Sequence, residues 1–389
     1  MISLEFEFLK FQATSLSTES RWEELAHVNV TRRIRRAVNF PVLYLGNFKL
    51  LRFASVLPNW VEIRVTESCN SRCITCSSWR NSKEGELETD ELLSALRQLR
   101  KIGADGIRFS GGESLTRSDL PVLVREAHWL GFPELQIATN GLLLEKKAEQ
   151  LVTEARGNLR FDVSLDGIGD TDNKIRGIPD HYSRALAGIK KVKTLQKEIG
   201  REIVVNVFTT LLKQNISEVP SIVDLCDRIG ARWCFSLLCG KIDLFKETPV
   251  SEFAPTDWAL IDRTIEYLKR RYIENPFLLY TNLPILEYAR QFLKGTVDLR
   301  DFPCTLGYTA LCLGSRGEVY PGCYVNKPLG NIRENELAKI LSMPRYRRFA
   351  ETMYKRECCP NCTFFYEDSV MNRYRFPRLE RIRKTLRSK

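Results

Sequence analysis

The chain has 389 residues, 43% of them hydrophobic, and a formal net charge of +11. This length exceeds a small disulfide scaffold and suits one large α/β domain with a smaller companion. Twelve unevenly clustered cysteines point to metal binding in a reducing compartment. No apolar run is long enough to span a bilayer. The start, Met1 to Phe8, lacks the basic-then-apolar order of a signal peptide, so a cytoplasmic location is expected.

Residues 1–58 form a basic and apolar extension. Arg32, Arg33, Arg35 and Arg36 are followed there by Val38, Phe40, Leu43 and Phe48. A second basic tract, from Arg373 to Lys389, forms a tail over 371–389. Such tracts suit nucleic acid, an anionic membrane surface or plain solvation, and charge does not choose among them.

From Trp60 a strand–helix rhythm sets in. It predicts strands near 60–66, 106–110, 134–139, 160–165, 201–210 and 231–238. Helices are predicted near 88–101, 118–131, 145–155, 181–198 and 216–229. This is the pattern of a parallel sheet with crossover helices, either open or a partial (β/α)6 barrel over 59–240. In both, chemistry gathers at the carboxyl ends of the strands. Each predicted strand does end in polar or glycine-rich residues: the cysteine loop, Ser110-Gly111-Gly112-Glu113, Thr139-Asn140-Gly141, Ser164-Leu165-Asp166-Gly167, Thr209-Thr210 and Cys239-Gly240-Lys241. Helical segments near 256–272 and 284–294 then make up a linker region, 241–300.

The first strand runs into Cys69-Asn70-Ser71-Arg72-Cys73-Ile74-Thr75-Cys76. Closely spaced thiolates in a polar loop favour an iron–sulfur cluster or zinc. A closed zinc site takes four ligands, whereas three cysteines leave a fourth position for something other than protein. The loop resembles the CxxxCxxC motif of the radical S-adenosylmethionine (radical SAM) enzymes. The resemblance implies a [4Fe–4S] cluster on Cys69, Cys73 and Cys76, with S-adenosylmethionine (SAM) chelated at the open iron and cleaved by one electron. It extends to Gly111, Gly112 and Glu113, which match the family's GGE motif against the methionyl amino group. By the same resemblance Ser164 and Arg176 touch SAM, the arginine through the methionine carboxylate, for which its planar fork is suited. Asn140 and Asn206 are further candidates for hydrogen bonds to SAM.

Cysteines return at Cys304, Cys312, Cys323, Cys358, Cys359 and Cys362. A hairpin is predicted around Gly314-Ser315-Arg316-Gly317. The order resembles the SPASM/twitch extension of many radical SAM enzymes, including the run Gly317-Glu318-Val319-Tyr320-Pro321. Gly322 intervenes before Cys323, a one-residue departure. With no cysteine beyond Cys362, the short twitch form over 301–370 is expected. It would hold an auxiliary [4Fe–4S] cluster on Cys304, Cys323, Cys359 and Cys362. Cys312 or Cys358 could replace one of these, and structural zinc is the alternative occupant. Cys226 and Cys234 are expected in apolar core.

Cys239 and Lys241 stand where a sixth strand would open onto substrate, and either could take a proton from a substrate radical. The resemblance implies hydrogen-atom abstraction from a small molecule, possibly carbohydrate-like, or from a ribosomally made peptide. An electron donor such as a flavodoxin or ferredoxin is implied with it. A non-catalytic iron–sulfur protein is the alternative of another class. The sequence leaves the oligomeric state open.

Overall fold

The structure is a computed structural model that describes residues 55–155, 157–238, 252–297, 304–324 and 327–357. Cys239, Lys241, Cys358, Cys359, Cys362, the first 54 residues and the basic tail lie outside the described residues.

Six strands follow one another in the sheet as they do in sequence: β1 (Trp60–Thr66), β2 (Gly106–Gly111), β3 (Glu134–Thr139), β4 (Leu159–Ser164), β5 (Val204–Leu211) and β6 (Arg232–Leu237). Each pairs in parallel with the next. Parallel neighbours need a crossover, and helices supply it. α1 (Thr89–Lys101), α2 (Leu120–Trp129), α3 (Leu144–Ala155), α4 (Asp170–Arg176), α5 (His181–Ile199) and α6 (Val219–Ile229) occupy these connections. α1 starts where the Glu91 carboxylate accepts a hydrogen bond from the Glu88 backbone N–H, and Pro121 sits in the first turn of α2.

Strand sequences such as Trp60-Val61-Glu62-Ile63-Arg64-Val65 alternate apolar and charged residues. In most parallel sheets both faces are apolar. Here one face carries Val61, Ile63, Ile107, Phe109, Ile137, Phe161, Val163, Val205, Val207, Trp233 and Phe235, all essentially inaccessible in the main core. The opposite face carries Glu62, Arg64, Arg108, Ser110, Asp162, Ser164, Phe208, Thr210 and Ser236. These residues come from five of the six strands, and with Ala138 of β3 they line one cavity. Strands as far apart as β1 and β6 share a cavity wall only if the sheet curls around it. The (β/α)6 partial barrel follows from this together with the strand order.

The edges are covered. Beyond β6, the Trp233 N–H donates to the Leu278 carbonyl and the Tyr280 N–H to that of Trp233, so the segment between α7 (Trp258–Glu274) and α8 (Leu283–Leu293) closes that side. On the other side β7 (Ala310–Leu313) joins β1 in parallel, with β8 (Glu318–Pro321) and β9 (Gly330–Asn331) antiparallel beyond it. The predicted hairpin is therefore a continuation of the barrel sheet. Three helices flank it: α9 (Leu306–Thr309), α10 (Leu337–Ser342) and α11 (Pro344–Tyr354).

Two local differences from the sequence expectation have simple causes. α4 is not anticipated because Asp170-Thr171-Asp172-Asn173-Lys174-Ile175-Arg176 shows no apolar periodicity. α6 begins at Val219 rather than 216 because a 3-10 turn, Ile216–Glu218, precedes Pro220.

Candidate active site

The cavity at the carboxyl ends of the strands has a volume of about 340 Å³, within the usual range of small-molecule sites. Cys69, Cys73 and Cys76 form part of its wall, as do Gly111, Gly112, Glu113, Asn140, Ser164 and Arg176. Nine of the ten sequence candidates among the described residues outside the hairpin region thus meet at one place. The tenth, Asn206, does not line the cavity. It is fully buried in β5, where its amide donates to Asp162 Oδ1 at 2.9 Å.

The cysteine loop is held from three directions. The Arg72 and Ile74 N–H groups donate to the carbonyls of Arg176 and Ile175 at 3.0 and 2.9 Å, which seats the loop on the end of α4. The Gly112 and Glu113 N–H groups donate to the carbonyls of Thr66 and Ser68 at 2.8 and 2.7 Å. A Cβ on Gly112 would collide with the Ser68 carbonyl, so this glycine is required by the close approach of the loop. From β3, the Asn140 amide donates to Asn70 Oδ1 at 2.7 Å and Ser71 Oγ at 2.9 Å, and its own Oδ1 accepts from the Leu142 N–H. Asn140, a candidate for hydrogen bonds to SAM, lines the cavity and at the same time ties the loop through its Nδ2, while its Oδ1 is met by Leu142.

Glu113 is buried and accepts hydrogen bonds from Thr139 Oγ1, the Asn140 N–H and the Leu115 N–H at 2.7, 2.6 and 3.0 Å. Burial pushes its carboxyl above the usual range in spite of these donors. A cationic group beside it would favour ionisation. Burial pushes the Cys69 thiol up to about 12. It raises Cys73 as well, against the opposing charge of Arg176. Among the described residues no three His, Cys, Asp or Glu side chains are arranged to hold a single metal ion.

Arg176, at the end of α4, donates from Nη1 towards Cys73 Sγ at 3.8 Å, and its Nη2 lies 2.7 Å from Asp166 Oδ2. Its Nε is buried and has no acceptor among the described residues. Asp166 in turn accepts from the Thr210 N–H, and its own N–H donates to Asp172 Oδ1 at 2.6 Å. The other oxygen of Asp172 lies 2.5 Å from His181 Nδ1, both residues being fully buried.

Across the cavity, Arg64 and Glu67 form a buried ion pair at 2.8 Å, to which Ser315 Oγ and Asn81 add donors. Burial pushes the Glu67 carboxyl up, but the hydrogen bond and charge of Arg64 outweigh that and hold it at about 2. Tyr324, which directly follows Cys323, also lines the cavity, and Arg64 sits over its ring. Cys304 and Cys323 are buried in one cluster with Met353. The Cys304 N–H donates to the carbonyl of Tyr354, at the end of α11. Cys312 lies in β7 opposite Glu62, with its thiol 3.6 Å from the Gly322 carbonyl.

The radical SAM superfamily profile matches residues 63–226, and the SPASM iron–sulfur cluster-binding domain matches 304–363. The chain belongs to the radical SAM superfamily. It is 27% identical over 301 residues to the AdoMet-dependent heme synthase of Methanosarcina barkeri, covering 73% of this chain and 82% of that protein. It is 26% identical to the sporulation killing factor maturation protein SkfB of Bacillus subtilis, over 75% of this chain and 66% of that protein. Other curated relatives are matched over 43% or 55% of their length. The fold resembles that of Streptococcus suis SuiB, solved with its precursor peptide SuiA, with a TM-score of 0.58 at 17% identity over 76% of this chain and 67% of that one.

As a radical SAM enzyme with a SPASM-type domain, the chain takes a [4Fe–4S] cluster, SAM and auxiliary iron–sulfur. The described residues fit these groups. Three thiols share one cavity wall, the soft donors that iron–sulfur clusters take. The unfilled Arg176 Nε is a buried donor that lacks an acceptor. Cys304 and Cys323 fall in one buried cluster, as two ligands of a shared group would.

Sequence reasoning missed Asp166, Asp172, the Arg64–Glu67 pair and Gly177, which lies against the Arg72 carbonyl of the cysteine loop. Asp166 stands in the polar end of the fourth predicted strand, and the acidic run after it is the local signal for α4. The Arg64–Glu67 bond to Ser315 joins positions 248 residues apart, and no local pattern reports such a contact.

Proposed function

We propose that this chain reductively cleaves SAM and takes a hydrogen atom from a bound substrate, with Cys69, Cys73 and Cys76 as the cluster ligands. When bound, the cluster and SAM supply an electron and the 5′-deoxyadenosyl radical. The protein binds, orients and keeps water out. Arg176 offers its guanidinium to the methionine carboxylate. Glu113, held by three donors, faces the methionyl amino group. Gly111 and Gly112 bring the second strand end close against the cysteine loop, and Asn140 fixes that loop. Ser164 adds a hydroxyl to the wall. Cys304 and Cys323, with Cys359 and Cys362, hold the auxiliary cluster, which serves electron transfer. An external donor such as a flavodoxin or ferredoxin provides the reducing equivalent.

The observation that carries this reading is the convergence of the three thiols, Gly111-Gly112-Glu113 and Arg176 on one cavity. Its test is anaerobic reconstitution with reductant and SAM, followed by measurement of 5′-deoxyadenosine. Absence of that product from the loaded protein would refute it.

For the substrate, a ribosomally made peptide is the reading with most support, because SkfB is a maturation protein matched over most of this chain and SuiB is a fold neighbour bound to a precursor peptide. The longer match to a heme synthase favours a small organic substrate as the second reading. Candidate precursor peptides encoded near this gene, incubated with the loaded enzyme and weighed by mass spectrometry, separate the two. A mass change in a peptide supports the first.

A further inference from the structure

We propose that Asp166 is a positioning residue for SAM: it holds the Arg176 guanidinium in the orientation that receives the methionine carboxylate. The inference rests on the assignment of Arg176 to SAM given above and adds the group that aims it.

Arg176 lies on a seven-residue helix at the cavity wall. A long side chain on so short an element samples several rotamers unless something fixes it, and fixing it in advance spares that entropy on binding. Asp166 provides the constraint. It is 2% exposed, lies 2.7 Å from Arg176 Nη2 through Oδ2, and sits just past the end of β4.

Its own position is over-determined. Oδ1 accepts from the Thr210 N–H at 2.7 Å, its carbonyl accepts from Asn215 Nδ2 at 2.8 Å, and its N–H donates to Asp172 Oδ1 at 2.6 Å. Asp172 is held by His181. The chain His181–Asp172–Asp166–Arg176 therefore runs from the buried start of α5 to the cavity. With Nη2 on Asp166 and Nη1 turned to Cys73, the buried Nε remains without an acceptor. A guanidinium anchored at one edge with a donor unfilled suits an incoming carboxylate.

A purely structural role for Asp166 would affect all ligands of the cavity alike. A positioning role affects only ligands that carry the aminocarboxylate. The test uses the full-length, anaerobically reconstituted protein and isothermal titration with two probes. S-adenosylhomocysteine retains the aminocarboxylate, and 5′-methylthioadenosine lacks it. Asp166→Asn keeps the size and the bond from Thr210 but removes the charge facing Arg176. It is expected to weaken S-adenosylhomocysteine by about tenfold, by analogy with the loss of a group hydrogen-bonded behind a metal ligand, and to leave 5′-methylthioadenosine unchanged. Asp166→Glu, which restores the charge, is expected to recover part of the loss.

Unchanged binding of both probes to Asp166→Asn, or an equal loss for both, overturns the proposal. If Asp166→Asn does not fold, Asp166→Ser decides: a loss confined to S-adenosylhomocysteine supports the proposal, and no loss or an equal loss overturns it. Arg176→Gln separates this inference from the reading beneath it. If Arg176→Gln leaves S-adenosylhomocysteine binding intact, the assignment of Arg176 itself is wrong. If Arg176→Gln weakens it and Asp166→Asn does not, only the role of Asp166 fails.

Discussion

Gly177 packs directly under the carbonyl of Arg72, so that a Cβ at position 177 would collide with the backbone of the cysteine loop. The glycine also has φ +68°, a conformation that costs other residues about 1–2 kcal/mol. Gly177→Ala therefore combines strain with displacement of the loop, and the iron content after reconstitution should fall well below that of the parent. Gly200 is the control. It has φ +63° and nothing within 4 Å of an added Cβ, so Gly200→Ala should cost about 1 kcal/mol in denaturant unfolding and leave iron content unchanged.

Asn140 links the end of β3 to Asn70 and Ser71. Asn140→Leu removes both hydrogen bonds and leaves the Asn70 and Ser71 acceptors on the loop unmet, a loss of roughly 2 kcal/mol. Faster hydrogen exchange in residues 69–76 is the expected result, and unchanged protection there would refute the tie.

The two cysteine groups should separate by iron counting. Two cubanes give about eight irons per chain. Cys73→Ala should abolish 5′-deoxyadenosine formation. Cys304→Ala should lower iron towards about four per chain while sparing some SAM cleavage, because the first site keeps all its ligands. A single-zinc auxiliary site would instead show about four irons and one zinc in the parent protein.

Glu67 gives an acid-side prediction. Its folded carboxyl titrates at about 2, below the ordinary value of about 4.3. The unfolded state therefore binds more protons between these values, and stability rises with pH across that window. The contribution is complete above pH ~4.5 and is lost as pH falls towards ~2, at most about 3 kcal/mol. Glu67→Gln should flatten this part of the urea-midpoint-against-pH curve, although breaking the buried pair will lower stability at neutral pH. An unchanged slope between pH 2 and 4.5 would exclude Glu67 as its source.

Much of the barrel was legible because its signals are local. Each strand shows its apolar period and each strand end its polar turn, and the three spaced cysteines carry their chemistry in a single loop. The polar inner face was harder to read. Glu62, Arg64 and Arg108 alternate with apolar residues as though facing solvent, and only the curl of the sheet shows that they line a cavity.

From the sequence alone came the family resemblance, the parallel order of strands and helices, and the candidate thiols, because these rest on short-range pattern and side-chain chemistry. Tertiary structure alone decided three things. The hairpin shares the barrel sheet through β1 and β7. Asn140 supports the loop, and Asp166 stands behind Arg176. The first two depend on contacts between residues far apart in the chain, and the third on Thr210 and Asn215, which fix Asp166 from another strand end; each approach is set by packing and by the need of buried polar groups for partners.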